Sequence, residues 1–422
     1  MVMRSPQQGT FALRDVRVLD DHGAFTPPVD VVVRDGVVDR VGAGVGAGVD
    51  SRDASERWLM PGIVDCHAHL GCFTTSTDEI LSMSVTRWTL EVARNAALLL
   101  DMGITLIRDP ATSDSGIRDG IMSGAVPGPT LQVSGGALSQ TGGHVDGFVP
   151  NLGLECTSGF LIPDYPGRVE HCVDGPEQVR VAVRKLARAG VDWVKLCTTG
   201  GLLSTMPDRP DKAEFTVEEI EMAVSEATNA GIPVCVHAYG GIGLERAVRA
   251  GAKSIEHGLY LSPDQAKEMA DRDCWLVPTL AVCEELVRLA KASLIPPSAA
   301  AKVREIEPLI GQQVEVARAA GVRIAVGSDL VVQGTNLHEL ALLNRAGMPA
   351  EEVLLTATAG GAELLGLSGS HGRIAPGYVF DAILLDSDPR DMALWTGERP
   401  VSAVFQGGRV VRAHESWNSA AL

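Results

Sequence analysis

Four of the ten histidines in this 422-residue chain fall in one kind of place, the end of a short apolar run. His67 and His69 close the run 63–69, His237 lies near the end of 232–239, and His257 near the end of 253–259. Lys195 sits inside the run 192–199, and Asp329 ends the run 322–329. Neutral imidazoles and carboxylates are the side chains that bind divalent ions of the zinc type. Residues two apart on a strand project to the same side, so His67 and His69 can reach one ion. Each residue alone has a plainer reading. A single His near a strand end could be hydrogen-bonded structure, Asp329 could cap the helix that follows, and Lys195 could pair with a carboxylate. Recurrence of all six at equivalent positions is what points to a metal centre.

The lysine needs its own account, because an ammonium is no metal ligand. Buried in an apolar run beside two cations, its charged form is disfavoured and the neutral, nucleophilic amine is favoured. A neutral amine adds carbon dioxide to give a carbamate, which is anionic and has two oxygens. Such a group on Lys195 would set one oxygen on each of two divalent ions.

These residues must be carried by something that repeats. Eight short apolar runs qualify as strands: 63–69, 104–109, 130–135, 192–199, 232–239, 253–259, 274–280 and 322–329. Most follow an amphipathic helix that stops near a Gly, as EVARNAALLLDMG, VRVAVRKLARAG, IEMAVSEATNAG and LERAVRAG do. Eight apolar strands alternating with helices imply an α/β fold, a parallel (β/α)8 TIM barrel over residues 61–370. Active sites of that barrel lie at the C-terminal ends of its strands, where the six residues stand. A doubly wound open sheet is the alternative, but no GxGxxG follows the first strand. Both ends of the chain read differently. VVVRDGVVDRV alternates Val with charge around the Asp35–Gly36 turn, and PVSAVFQGGRVVRA does so around Gly407–Gly408. Residues 1–60 and 371–422 are therefore expected to meet as one small β-sandwich domain.

Composition bounds the partners. A formal net charge of −17 argues against nucleic acid or an anionic membrane. No run approaches the ~20 apolar residues of a membrane span, and the first thirty residues lack the apolar core of a signal peptide. The eight cysteines (66, 72, 156, 172, 197, 235, 274, 283) show no CxxC pair, so no disulfide framework is expected and a reducing cytoplasm fits. The glycine-rich stretches 135–147 and 200–204 contain no GxxxxGK[ST] and read as active-site loops. His22, His171, His338, His371 and His414 stand outside the pattern and default to surface or hydrogen-bonding roles.

LMPGIVDCHAHL, VKLCTTGG, VCVHAYG, SIEHG, AVGSD and the terminal GRIAPGYVFDAILLD resemble the amidohydrolase superfamily over essentially the whole chain. SGGALSQTGGHVDGF, and HAYG paired with IEHG, are similar to its prolidase and dipeptidase-like branch, near imidazolonepropionases and ochratoxin-type amidases. The resemblance implies two divalent ions, commonly zinc, and a homo-oligomer. His67, His69 and Asp329 would bind the more buried ion, His237 and His257 the more exposed one, with carboxylated Lys195 bridging. It further implies a shared hydroxide as nucleophile, Asp329 as the acid–base that serves the leaving amine, and His144 and Tyr239 over a small-molecule substrate, on its oxyanion or carboxylate. Tyr239 could equally close the loop after its strand.

The loops depart from that branch. His144-Val145-Asp146 stands where it has His-Gly-Asp, and Gly240-Gly241 where it has Thr-Pro, changes that open space beside the substrate. Amide hydrolysis of a dipeptide or N-acyl amino acid is the leading expectation. Hydrolysis of ureas or carbamates, such as phenylurea herbicides, is the alternative. A metal-free binding protein would lack some of the six ligands, and none is missing.

Overall fold

The computed structural model describes residues 9–74, 76, 79, 82–148, 165, 168–203, 209–397 and 400–413. His414 and Cys156 lie outside the described residues. The N-terminal strands are β1 (Thr10–Val18), β2 (Val29–Arg34), β3 (Val37–Gly42), β4 (Ser51–Asp53) and β5 (Trp58–Pro61). The middle of the chain forms β6 (Ile63–Asp65), β7 (Ile104–Asp109), β8 (Thr130–Val133), β9 (Ala137–Leu138), β10 (Val194–Cys197), β11 (Val234–Gly240), β12 (Ser254–Tyr260) and β13 (Trp275–Val277). At the C-terminal end come β14 (Ala382–Leu385), β15 (Ala403–Gln406) and β16 (Arg409–Ala413).

The middle strands make two parallel ladders, β6-β7-β8 and β9-β10-β11-β12-β13. Helices punctuate them as the Gly-terminated patterns require. Val85–Asp101, Pro176–Arg188, Val217–Asn229 and Gly241–Ala250 precede β7, β10, β11 and β12. Thr216 and Glu219 cap Val217–Asn229 reciprocally, and Ser262 with Gln265 does the same for Pro263–Asp271.

One expected strand is absent. Residues 322–329 form no strand and make a single parallel bridge, Ile324 with Leu276. They still bond on both sides: Ala325 N donates to Leu276 O at 3.0 Å, and Cys66 N donates to Val326 O at 2.8 Å. The gap between β8 and β10 is spanned likewise, by Asp192 N and Trp193 N on Val133 O at 2.8 and 3.1 Å. The expected run 130–135 ends early, at Val133, and an unexpected two-residue strand, β9, follows it after Gly135 and Gly136, which have φ of +67° and +141°.

Strands from the two ends share one eight-stranded sheet, in the order β16-β15-β14-β5-β1-β2-β3 with β4 on β1. Period-2 alternation sets which core each residue serves. Ala382 and Leu384 of β14 join Phe11, Leu13, Phe380 and Phe405 in the terminal core. Ile383 and Leu385, one step out of phase, pack into the main core. The sheet is thereby bolted to the body of the protein by its second face.

A buried carboxyl lies at that junction. Burial pushes Asp381 up to about 6, although Gly407 N donates to it at 2.7 Å. A carboxyl raised above its unfolded value binds an extra proton in the folded state between pH ~4 and 6, so stability falls as pH rises through that window. Asp381→Asn is expected to abolish this component and gain as much as roughly 3 kcal/mol above pH 6. Thermal melts of both proteins from pH 4 to 7 would show curves that diverge toward neutral pH; parallel curves would refute it.

The cysteine expectation needs one correction. Cys172 is disulfide-bonded, whereas six others (66, 72, 197, 235, 274 and 283) are free thiols. Irregular spacing argues against a framework of bridges and says nothing of a single one. Among the described residues no helix is long and apolar enough to cross a membrane.

Candidate metal centre

The His67–His69 pair lies just past β6 rather than on it. The expected same-side projection is nonetheless met by irregular backbone, because Asp65 holds the turn. Its carboxylate accepts from His67 N and Ser328 N at 3.1 Å and from Ser328 Oγ at 2.6 Å. Ser328 precedes Asp329, whose N–H donates to His67 O at 2.7 Å. One buried carboxylate therefore ties two separate stretches of ligands together.

Side-chain donors converge across this seam. His67 Nε2 and His69 Nε2 are 3.3 Å apart, and Asp329 Oδ1 lies 3.4 and 3.0 Å from them. His67, His257 and Asp329 each offer a donor atom within 4.8 Å of the others, an arrangement able to hold a metal ion. His237 joins from β11, its ring 4.5 Å from that of His257. Lys195 on β10 is buried, and its charge acts on His67, His237 and His257. The structure thus gathers His67, His69, His237, His257 and Asp329, with Lys195 near enough for its charge to act on three of the rings.

Two of them pay in backbone strain. His257 and Asp329 have φ of +77° and +54°, in the left-handed region that side chains with a Cβ avoid. Asp and His are among the side chains found there most often, and the surrounding structure holds both. Thr279, itself at φ +49°, places Oγ1 2.7 Å from His257 Nδ1. Glu339 fixes that turn by accepting from Leu280 N and Ala281 N at 3.0 and 2.6 Å.

The electrostatics suit a cation. Burial, with Lys195 adding to it, drives His67 well below the ordinary histidine value, and burial with His144 does so for His237. His257 falls to about 4, again chiefly by burial. These rings are neutral at pH 7 and have lone pairs to give, as metal ligands must. His69 is the exception. Burial opposes its charge, but Asp109 and Asp329 outweigh that and raise it to about 9. Burial alone would raise Asp329 as well, yet His67 and His69 hold it well below the carboxylate range. Three neutral donors and an ionised carboxylate in one buried cluster fit a divalent ion.

His144 and Tyr239 flank the cluster. The His144 ring stacks on His237 at 4.1 Å, and it fills the place that a Cβ on Gly201 would take. Tyr239 stacks on His257 at 5.1 Å and meets His237 edge-on at 5.0 Å. It lies inside β11, not in a loop after it, and packs with Leu202, Leu259 and the helices Leu280–Lys291 and Pro297–Ile306. His171, expected in a surface or hydrogen-bonding role, is buried against Gly136, and among the described residues nothing bonds its Nε2. His22 is exposed, His338 opens the helix His338–Arg345, and His371 lies 3.8 Å from Asp381.

Residues behind the ligands escaped the sequence reading. Glu256, Asp109 and Thr279 each face one of these histidine rings, and Arg108 holds Glu256 from behind. The signal was present for two of them, since a lone Arg in ITLIRD and a lone Glu in SIEHGL are charges inside apolar strands and must find partners.

Known proteins resemble this chain over most of its length. The amidohydrolase family model matches residues 58–411. Ochratoxinase from Aspergillus niger is 32% identical over 364 residues, 84% of this chain and 75% of that protein. A Xaa-Pro dipeptidase with methionine bound in its active site superposes with a TM-score of 0.86 at 27% identity, over 96% of this chain and 100% of the other. A prolidase complexed with N-methylphosphonate-L-proline gives 0.88 at 29% identity, with the same coverage. Its sequence, its fold neighbours and its buried ligand cluster place the chain in the amidohydrolase family, and it is a hydrolase of carbon–nitrogen bonds.

Proposed function

We propose that the protein hydrolyses the amide bond of a small molecule, a dipeptide or an N-acyl amino acid, at a binuclear divalent-metal centre. The observation that carries this reading is the convergence of His67, His257 and Asp329 donors within 4.8 Å. Likeness to proteins named ochratoxinase and prolidase supports the bond type. His67, His69 and Asp329 would hold one ion, His237 and His257 the other, and Lys195 as a carbamate would lie between. When bound, such a pair supplies a water ionised near neutral pH and a polarised carbonyl.

The protein's own groups do the rest. Asp329, kept ionised by the imidazoles around it, accepts a proton at Oδ and returns it to the leaving nitrogen. His144 and Tyr239, fixed by stacking on ligand rings, orient the substrate by its oxyanion or its carboxylate. We also take the two parallel ladders with residues 322–329 as one barrel unit spanning 61–370. The terminal sheet over 1–60 and 371–422 is then its sandwich partner. The hydrogen bonds that span both gaps support that reading.

Elemental analysis of protein grown with zinc or manganese, followed by chelation, tests the centre. About two ions per chain and turnover lost on chelation are expected. Fewer than about one ion, with turnover indifferent to chelator, would sink it. A panel of dipeptides, N-acyl amino acids, ureas and carbamates tests the substrate class; preference for ureas or carbamates would replace the amide reading and leave the centre standing.

A further inference from the structure

Behind His67 lies a line of charge that the reaction above does not use. His67 Nδ1 is 2.7 Å from Glu256 Oε2. Arg108 Nη2 donates to both Glu256 oxygens at 2.8 Å, and Ser254 Oγ donates to Oε1 at 2.5 Å. Arg108 is locked in turn: Nε donates to Cys66 O at 2.6 Å, Nη1 to Ser254 Oγ at 3.0 Å, and its guanidinium lies 4.5 Å from the Trp193 ring centre. Both charged side chains have no exposure at all. An apolar pair of equal volume would be at least as stable, so stability alone does not account for the arrangement.

The other rings lean on weaker partners. His257 Nδ1 faces the neutral Thr279 hydroxyl at 2.7 Å, and His237 Nε2 faces the Gly200 carbonyl at 3.2 Å. His69 Nδ1 has Asp109 at 3.6 Å. Among the described residues, carboxylates outside the proposed ligand set therefore stand behind His67 and His69, whereas His237 Nε2 meets a carbonyl and His257 Nδ1 meets a hydroxyl, its nearest carboxylate being the proposed ligand Asp329 at 3.8 Å. A carboxylate behind a ligating imidazole fixes its tautomer and raises its basicity toward the metal.

We propose that Glu256, held by Arg108 and Ser254, is a positioning residue that fixes His67 as the Nδ1–H tautomer and turns Nε2 toward the metal. Because, among the described residues, carboxylates outside the ligand set back His67 and His69 but not His237 or His257, the ion at His67, His69 and Asp329 is the tighter bound of the two. The inference rests on the metal centre proposed above.

Calorimetric titration of zinc into the chelator-stripped full chain reads it directly. Wild type is expected to show two affinity classes. In Glu256→Gln the tighter class weakens about 10- to 100-fold, whereas in Thr279→Val the weaker class is the one that moves. Melting of the metal-free proteins separates positioning from structure. A lowered melting temperature with both zinc affinities intact would show a purely structural Glu256 and overturn the proposal. Glu256→Gln strands a buried guanidinium and endangers folding, so Arg108→Met/Glu256→Gln, which removes both charges, is titrated alongside. The same loss is expected there, and wild-type affinity in that double variant overturns the proposal. Two equal affinities in wild type would overturn it too, leaving the centre intact; no zinc uptake by wild type would instead remove the centre itself.

Discussion

Lys195→Ala is expected to give a folded protein that has lost its metal and its turnover together. Lys195 is buried in β10, hydrogen-bonded through its backbone ladder between β9 and β11. Among the described residues no carboxylate stands within ion-pair distance of its amine, so removing it breaks no salt bridge. What is removed, under the proposed function, is the side chain that would become an anionic bridge between the two ions. Metal content should fall from about two ions per chain to below one, and kcat/KM by at least about 10³-fold, the scale of a lost central group. A short carboxylic acid could supply the missing anion, so formate or acetate should restore part of both. Wild-type turnover in the variant would refute the bridging role, and lost turnover at full metal content would confine Lys195 to a step after binding.

Asp329→Asn is the second large effect. The amide is nearly isosteric and can still accept from its neighbours, so the fold and the His67 O hydrogen bond from its backbone should survive. The variant lacks an anion and a proton acceptor, and turnover should drop about 10²- to 10⁴-fold. The same change has a signature in the metal-free protein. His69 is raised to about 9 by Asp109 and Asp329 together. A histidine raised above its unfolded value stabilises fully below pH ~6.5, and that stability is lost as pH rises toward 9. Wild-type melting temperature should therefore decline across that window, and Asp329→Asn should decline less. An identical decline would mean that Asp109 alone holds the His69 proton.

Residue types were the legible part of the site. Imidazoles, a carboxylate and a lysine at the ends of apolar runs are visible in one dimension, and the ladder order β10-β11-β12-β13 follows chain order. The alternation of helix and strand was equally plain, because Gly at helix ends and paired caps are local signals. Geometry that depends on irregular backbone was not legible. Residues 322–329 look like a strand because they are apolar, yet they form one bridge, and Asp329 takes a positive φ that periodicity cannot encode. His67 and His69 were expected to converge by strand pleat and in fact converge by the Asp65 turn. Glu256 and Arg108 lie 148 positions apart in sequence, so their pairing is a tertiary fact. The helical pair 280–306, which packs on Tyr239, has an ordinary amphipathic pattern that does not disclose what it covers.

The terminal sheet carries a consequence in time rather than in space. Strand β5 pairs with β14, with Leu59 opposite Leu384 and Met60 opposite Ile383. At a synthesis rate of 5–20 residues per second, β5 waits on the order of tens of seconds for that partner to be made. Through that interval an apolar strand next to His67 and His69 has an open edge, a ready template for pairing with another chain. Loss of β14 would prolong this exposure indefinitely. Such a shortened chain should aggregate during expression even though every residue of the metal centre is still encoded.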